Sequence, residues 1–208
     1  MSRVWTPLAA VILLIRHGQT TTNAQRLLVG HSDPALTELG QRQAKALAPY
    51  LEGVVDVWTS PLARAQQTAA LALPEFVPVV KPSFIEINYG TFDGQPVKVI
   101  SPEQWRAFEG DHDAAFGGGE SLGEVDVRVH KELDELLSDA TSLLHSPDRH
   151  LAIFSHVSPI KSATVWALGV AGSTAWRTRL DNGSITCVAA RGALPSLIHF
   201  NVVPLLFD

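Results

Sequence analysis

The spacing of apolar positions changes several times along this chain, and each change marks an element. Residues 11–15, VILLI, form an unbroken apolar run rich in Ile and Leu. It predicts a strand buried on both faces, as at the centre of a parallel sheet. A polar loop is expected up to Gly30. Thr37 then stands as an N-cap, and Leu39, Ala44, Leu47 and Leu51 recur at helical spacing. Residues 54–58 predict a second strand. Ser60-Pro61 opens a helix through Leu73, with Pro61 suited to its first turn. Residues 77–80 predict a third, short strand. Ser121 caps a long helix to about Leu144, and Glu124 completes a capping box. Residues 150–154 give a fourth strand and 159–168 a helix. Residues 185–190 and 197–203 predict a closing antiparallel pair. This β–α alternation predicts an α/β fold: a three-layer α/β/α sandwich around a mostly parallel central sheet.

Residues 88–120 differ in character. They are rich in Gly and aromatics, with one short helix predicted over 102–108, and read as a small lid inserted over the sheet edge. The expected organisation is an extension over residues 1–10 and one domain over 11–208. Tyr89, Phe92, Trp105, Phe108 and Phe116 either line a pocket or form the lid's own small core.

The unusual polar residues fall at strand ends. Arg16 and His17 follow the first predicted strand, Ser60 and Arg64 the second, Ser155 and His156 the fourth. Carboxyl ends of parallel strands form the ligand crevice of an open α/β sheet. Taken singly, each residue has an ordinary explanation as a surface charge, a loop histidine or a turn residue. Together they bring two Arg and two His to one edge, a cationic cluster suited to phosphate. His31, His112, His130, His145, His150 and His199 lack such company and are read as structural or solvated.

Charge and cysteine content narrow the classes. The 208 residues carry a formal net charge of −5 and no block of Lys and Arg, so nucleic-acid binding is not expected. A single cysteine, Cys187, allows neither a disulfide framework nor a Cys/His zinc spacing. A buried thiol and a reducing, cytoplasmic compartment are the expectation. Residues 3–15 are not expected to be a signal peptide, because Pro7 interrupts the run and its end leads directly into Arg16-His17. No apolar stretch approaches the roughly 20 residues of a membrane span. A metal is not expected either: two arginines beside two histidines would repel the ion. The oligomeric state stays open, and a homo-oligomer is compatible with the sequence.

The motifs form an ordered series: Arg16-His17-Gly18-Gln19-Thr20 with Asn23; Asp33-Pro34-Ala35-Leu36-Thr37 with Gly40; Ser60-Pro61-Leu62-Ala63-Arg64-Ala65 with Thr68; Glu86-Ile87-Asn88-Tyr89-Gly90; Gly118-Gly119-Glu120-Ser121; Ser155-His156. The series resembles the histidine phosphatase superfamily in its phosphoglycerate-mutase-like branch, including broad-specificity and α-ribazole-phosphatase-like members. The resemblance covers nearly the whole chain from Val11 onward. It implies a phosphomonoester hydrolase that needs no cofactor and acts on small phosphorylated molecules. His17 would take the phosphoryl group, and Arg16, Arg64 and His156 would clamp its oxygens. Asn23, the loop residues Gln19 and Thr20, and the backbone N–H of Val157 would assist. Glu86 would protonate the leaving alcohol. Where many members have Gly-Gly after the second histidine, this chain has Val157-Ser158. Two rivals remain: a phosphoglycerate mutase and a non-catalytic phospholigand-binding relative. The predicted lid disfavours the mutase, offering only Lys98 and Arg106 against Asp93, Glu103, Glu109, Asp111 and Asp113.

Overall fold

A computed structural model describes residues 10–115, 117–139, 149–191 and 194–206. Six strands form one sheet: β1 (Val11–Arg16), β2 (Val54–Thr59), β3 (Val79–Val80), β4 (His150–Ser155), β5 (Ile185–Arg191) and β6 (Leu194–Val202). Their spatial order is β3-β2-β4-β1-β5-β6. β1, β4, β2 and β3 run parallel to one another, and β5 and β6 close the other edge antiparallel.

Period-two alternation sends successive β1 side chains to opposite faces. Val11, Leu13 and Ile15 meet the first helical layer, α2 (Glu38–Ala46) and α3 (Ala63–Ala72). Ile12 and Leu14 face the second, α5 (Leu122–Ser138) and α6 (Val157–Leu168). Helical stripes close each core: Ala65, Ala69 and Ala72 on α3, and Val125, Val129 and Leu133 on α5, all at most 2% exposed. This is the expected sandwich. Two further helices lie outside these layers: α1 (Thr21–Ala24) just after β1, and α4 (Pro102–Gly110) within residues 88–120.

Several boundaries differ from the sequence expectation, each for a physical reason. The loop after β1 contains the single turn α1, formed because Thr20 and Asn23 build a reciprocal cap. α2 stops at Ala46 and a 3₁₀ turn follows over Ala48–Tyr50, since Pro49 lacks the N–H a continuing helix needs. α3 begins at Ala63 rather than at Ser60-Pro61. Leu62 stays extended, with its N–H held by Ser60 Oγ at 3.2 Å. β3 shrinks to two residues, and β6 starts at Leu194. α5 ends at Ser138, and Leu144 lies outside the described residues. α6 begins at Val157, two residues before Pro159, with His156 at its N-cap. That early start shapes the site.

Candidate active site

β1, β2 and β4 end side by side, so the residues following them converge. Arg16 N–H donates to Ser184 O and His17 N–H to Ser155 O, both at 3.0 Å, which extends the sheet pairing through the turn. The loop after His17 then presses on α2. A Cβ on Gly18 would lie 2.3 Å from Gly40 O, and one on Gly40 2.0 Å from Gln19 O. Only glycine fits at either place.

His17 is 3% exposed, and its Nδ1 lies 2.7 Å from Gly18 O. A carbonyl only accepts, so Nδ1 carries the proton and the neutral ring keeps its lone pair on Nε2. Burial first, then the charges of Arg64 and Arg16, hold the imidazole well below its ordinary pKa. His156 is fully buried and neutral for the same reasons, burial foremost and then Arg64. The two rings are 5.1 Å apart and tilted by 56°.

The two arginines are held differently. Arg64 has a fully buried side chain. Its Nε donates to His156 Nδ1 at 3.2 Å, Nη1 to Ser32 O at 2.6 Å and Nη2 to Gly30 O at 2.8 Å. Asp33 lies 3.6 Å from Nη1. Three of five N–H bonds are thus spent on orientation, and one on each terminal nitrogen remains. Arg16 donates from Nη1 to Leu180 O at 2.6 Å, while its Nε is buried with no partner. Burial pushes the Arg16 guanidinium down to about 10 despite Glu86 and Asp181 nearby. A buried, unpartnered donor on a cation is open to an anion or a water.

Glu86 lies at the N-terminus of α6 and is 4% exposed. Its Oε2 accepts from Val157 N–H at 3.1 Å, and Oε1 accepts from Ser158 N–H at 3.1 Å and from Ile87 N–H at 2.9 Å. The backbone N–H of Val157, expected to stay open for substrate, is therefore taken by this carboxylate. The cause is the early start of α6, which turns the N–H groups of Val157 and Ser158 into first-turn donors that attract negative charge. Tyr89 touches Ser158, and burial pushes its phenol far up.

The other predicted ligand residues are partly committed to partners within the protein. Thr20 and Asn23 are bonded to each other, with Thr20 Oγ1 donating to Asn23 Oδ1 at 2.9 Å. Gln19 Oε1 accepts from Thr37 Oγ1 at 2.9 Å. Residues not singled out as ligands prove closely involved. Ser60 Oγ is 2.7 Å from His156 Nε2. Asn182 Nδ2 donates to His17 O and Asn23 Oδ1, both at 3.2 Å. Asp33 accepts from the N–H groups of Ala63 and Arg64, and Asp93 accepts from Gly30 and Ser32. His31, read as structural, bonds the Glu86 carbonyl at 2.9 Å. The sequence signal for Asn182 is the turn Asp-Asn-Gly before β5; Asp33 lies in the quoted Asp-Pro-Ala-Leu-Thr block.

The aromatics of residues 88–120 pack on one another and on Trp176, with Phe108 2% exposed and 5.3 Å from that ring. Tyr89 and Phe108 join the main core with Ile12 and Leu14, and Phe92 and Trp105 pack against it, so they do not form a separate core of the lid. Phe116, like His145, lies outside the described residues. His112, read as solvated, pairs with Asp126 at 2.8 Å. Among the described residues no three His, Cys, Asp or Glu side chains are grouped to hold a metal. No helix among them is long and apolar enough to cross a membrane.

Residues 12–203 match a family model, that of the histidine phosphatase superfamily, branch 1. The chain belongs to this superfamily. The chain is 33% identical over 185 residues to a probable phosphoglycerate mutase, GpmB, of Yersinia pestis, covering 85% of this chain and 83% of that protein. Among solved structures it is similar to a mycobacterial glucosyl-3-phosphoglycerate phosphatase complexed with VO3: 27% identity, TM-score 0.83, 93% of this chain and 99% of that one. The α-ribazole phosphatase of Shigella flexneri is also similar, at 26% identity and TM-score 0.78, over 92% and 96% of the two chains.

Proposed function

We propose that this histidine phosphatase hydrolyses small phosphomonoesters through a phosphohistidine on His17, without a metal. The observation that carries this reading is the bond from His17 Nδ1 to Gly18 O. It leaves a bare Nε2 on a ring kept neutral beside two arginines, the form a nucleophile requires. In the first step the Nε2 lone pair forms a bond to phosphorus as the bond to the ester oxygen breaks. That oxygen takes a proton from Glu86, whose carboxylate is then held by the first-turn N–H groups of α6. Water then attacks phosphorus, passes a proton to the Glu86 carboxylate and releases phosphate from Nε2. Arg16 and Arg64 neutralise charge on the equatorial oxygens, which is the main task in phosphoryl transfer. His156 orients Arg64 through Nδ1, and the Asn23 amide completes the rim.

Hydrolysis is favoured over mutase transfer by the charges of residues 88–120. Lys98 is exposed, and Arg106 is spent on exposed Glu103 at 2.8 Å. Neither supports a second anionic group near the phosphate. The test is a quench experiment with a radiolabelled ester. The wild-type chain should carry acid-labile, base-stable label on His17 and turn over undiminished in chelator. His17→Ala should carry none and lose turnover while remaining folded. Label on another residue, or activity that chelator removes and a metal restores, refutes the reading.

A further inference from the structure

Ser60 follows β2 and has no exposed surface. Its hydroxyl oxygen has two neighbours, His156 Nε2 at 2.7 Å and Leu62 N–H at 3.2 Å. The direction of the first bond follows from the other side of the imidazole. Arg64 Nε has only a proton to offer, and it points at His156 Nδ1 at 3.2 Å. Nδ1 therefore accepts, and the proton of the neutral ring lies on Nε2. Nε2–H then donates to Ser60 Oγ, as does Leu62 N–H. Both lone pairs of the hydroxyl are filled. Its own proton is left over, and no acceptor for it is present among the described residues. A hydroxyl proton buried without an acceptor is uncommon and points to a missing ligand oxygen.

We infer that Ser60 is a further substrate-binding residue, whose hydroxyl donates a hydrogen bond to a non-bridging oxygen of the transferring phosphoryl group. The chain Arg64 Nε–H to His156 to Ser60 to phosphoryl oxygen runs in one direction, each group accepting from the one behind and donating to the one ahead. Such a chain polarises each successive donor. It passes the influence of the deeply buried Arg64 guanidinium to the oxygen as that oxygen gains charge. His156 is thereby a positioning residue for Ser60 as well as for Arg64.

The inference rests on the phosphohistidine reading of the site, and one structure separates the two. In crystals of the wild-type chain with vanadate, the metal oxyanion should lie against His17 Nε2, with Ser60 Oγ within hydrogen-bond reach of a vanadate oxygen. Vanadate at His17 with Ser60 Oγ more than about 3.5 Å from every oxygen overturns the inference alone. Vanadate bound away from His17 overturns the underlying reading instead. In solution, Ser60→Ala should weaken vanadate inhibition and lower kcat/KM by similar factors, roughly 10- to 100-fold for a hydrogen bond to a charged group. Thermal unfolding checks that the variant is folded, and if it is not, the wild-type complex decides. A folded Ser60→Ala with unchanged vanadate affinity refutes the role.

Discussion

His17 and His156 are buried beside arginines and held neutral, which has a consequence for stability. Their folded pKa values lie well below the ordinary value near 6.5. Between the folded and unfolded values the unfolded chain binds more protons, so stability rises with pH there. Their contribution is complete above about pH 6.5 and is lost as the pH falls below it, by up to about 1.4 kcal/mol per pH unit for each histidine. Unfolding temperatures measured from pH 7.5 to 5 should therefore drop, and His17→Gln should flatten that slope; an unchanged slope refutes the assignment. Glu86 invites a different test. If it is the acid, Glu86→Gln should slow alkyl phosphates by roughly 10²–10⁴-fold and nitrophenyl phosphate far less. Equal slowing of both esters would mean that the carboxylate serves only to cap α6. The convergence of Arg16, His17, Arg64 and His156 was legible in the sequence because each follows a predicted strand ending at one sheet edge. Ser60 and Asn182 were not singled out as ligands, because a serine or asparagine at a turn is ordinary until its partners are known.

Among the elements, α3 shows how a loop distant in sequence completes a helix. No side chain of its own N-cap residue, Leu62, satisfies its first N–H groups. Asp33 does so from the loop before α2, accepting from Ala63 and Arg64 while also lying beside the Arg64 guanidinium. Asp33→Ala should cost about 1 kcal/mol of stability, the usual value of a cap, and should also raise KM because Arg64 loses a support. Asp33→Asn keeps a capping oxygen and should retain most of the stability, as read by denaturant unfolding. If both variants lose stability equally, the cap is not the reason. Periodicity foretold α2, α3, α5 and α6 as elements but misplaced a start or an end of each. Local sequence carries no record of a cap delivered from thirty residues away, nor of a carboxylate such as Glu86 waiting at the head of α6.

For the whole molecule, the sandwich and the location of its crevice followed from β–α alternation alone, since chain handedness and sheet burial leave few other arrangements. Strand order was beyond that reasoning, and it matters here. β4 lies between β1 and β2, although it follows both by long stretches of chain. β1 pairs only with β4 and β5. An elongating chain therefore exposes β1 as an apolar strand with neither neighbour until its last third has been made. The Arg16-His17 turn and the Ser60–Arg64 turn cannot be brought to their mutual distance before β4 is inserted. The cluster of Arg16, His17, Arg64 and His156 cannot be complete before β4 is made, and contacts so distant in sequence slow folding. A chain interrupted before β4 presents unpaired strand edges, the kind of surface on which partly made proteins aggregate.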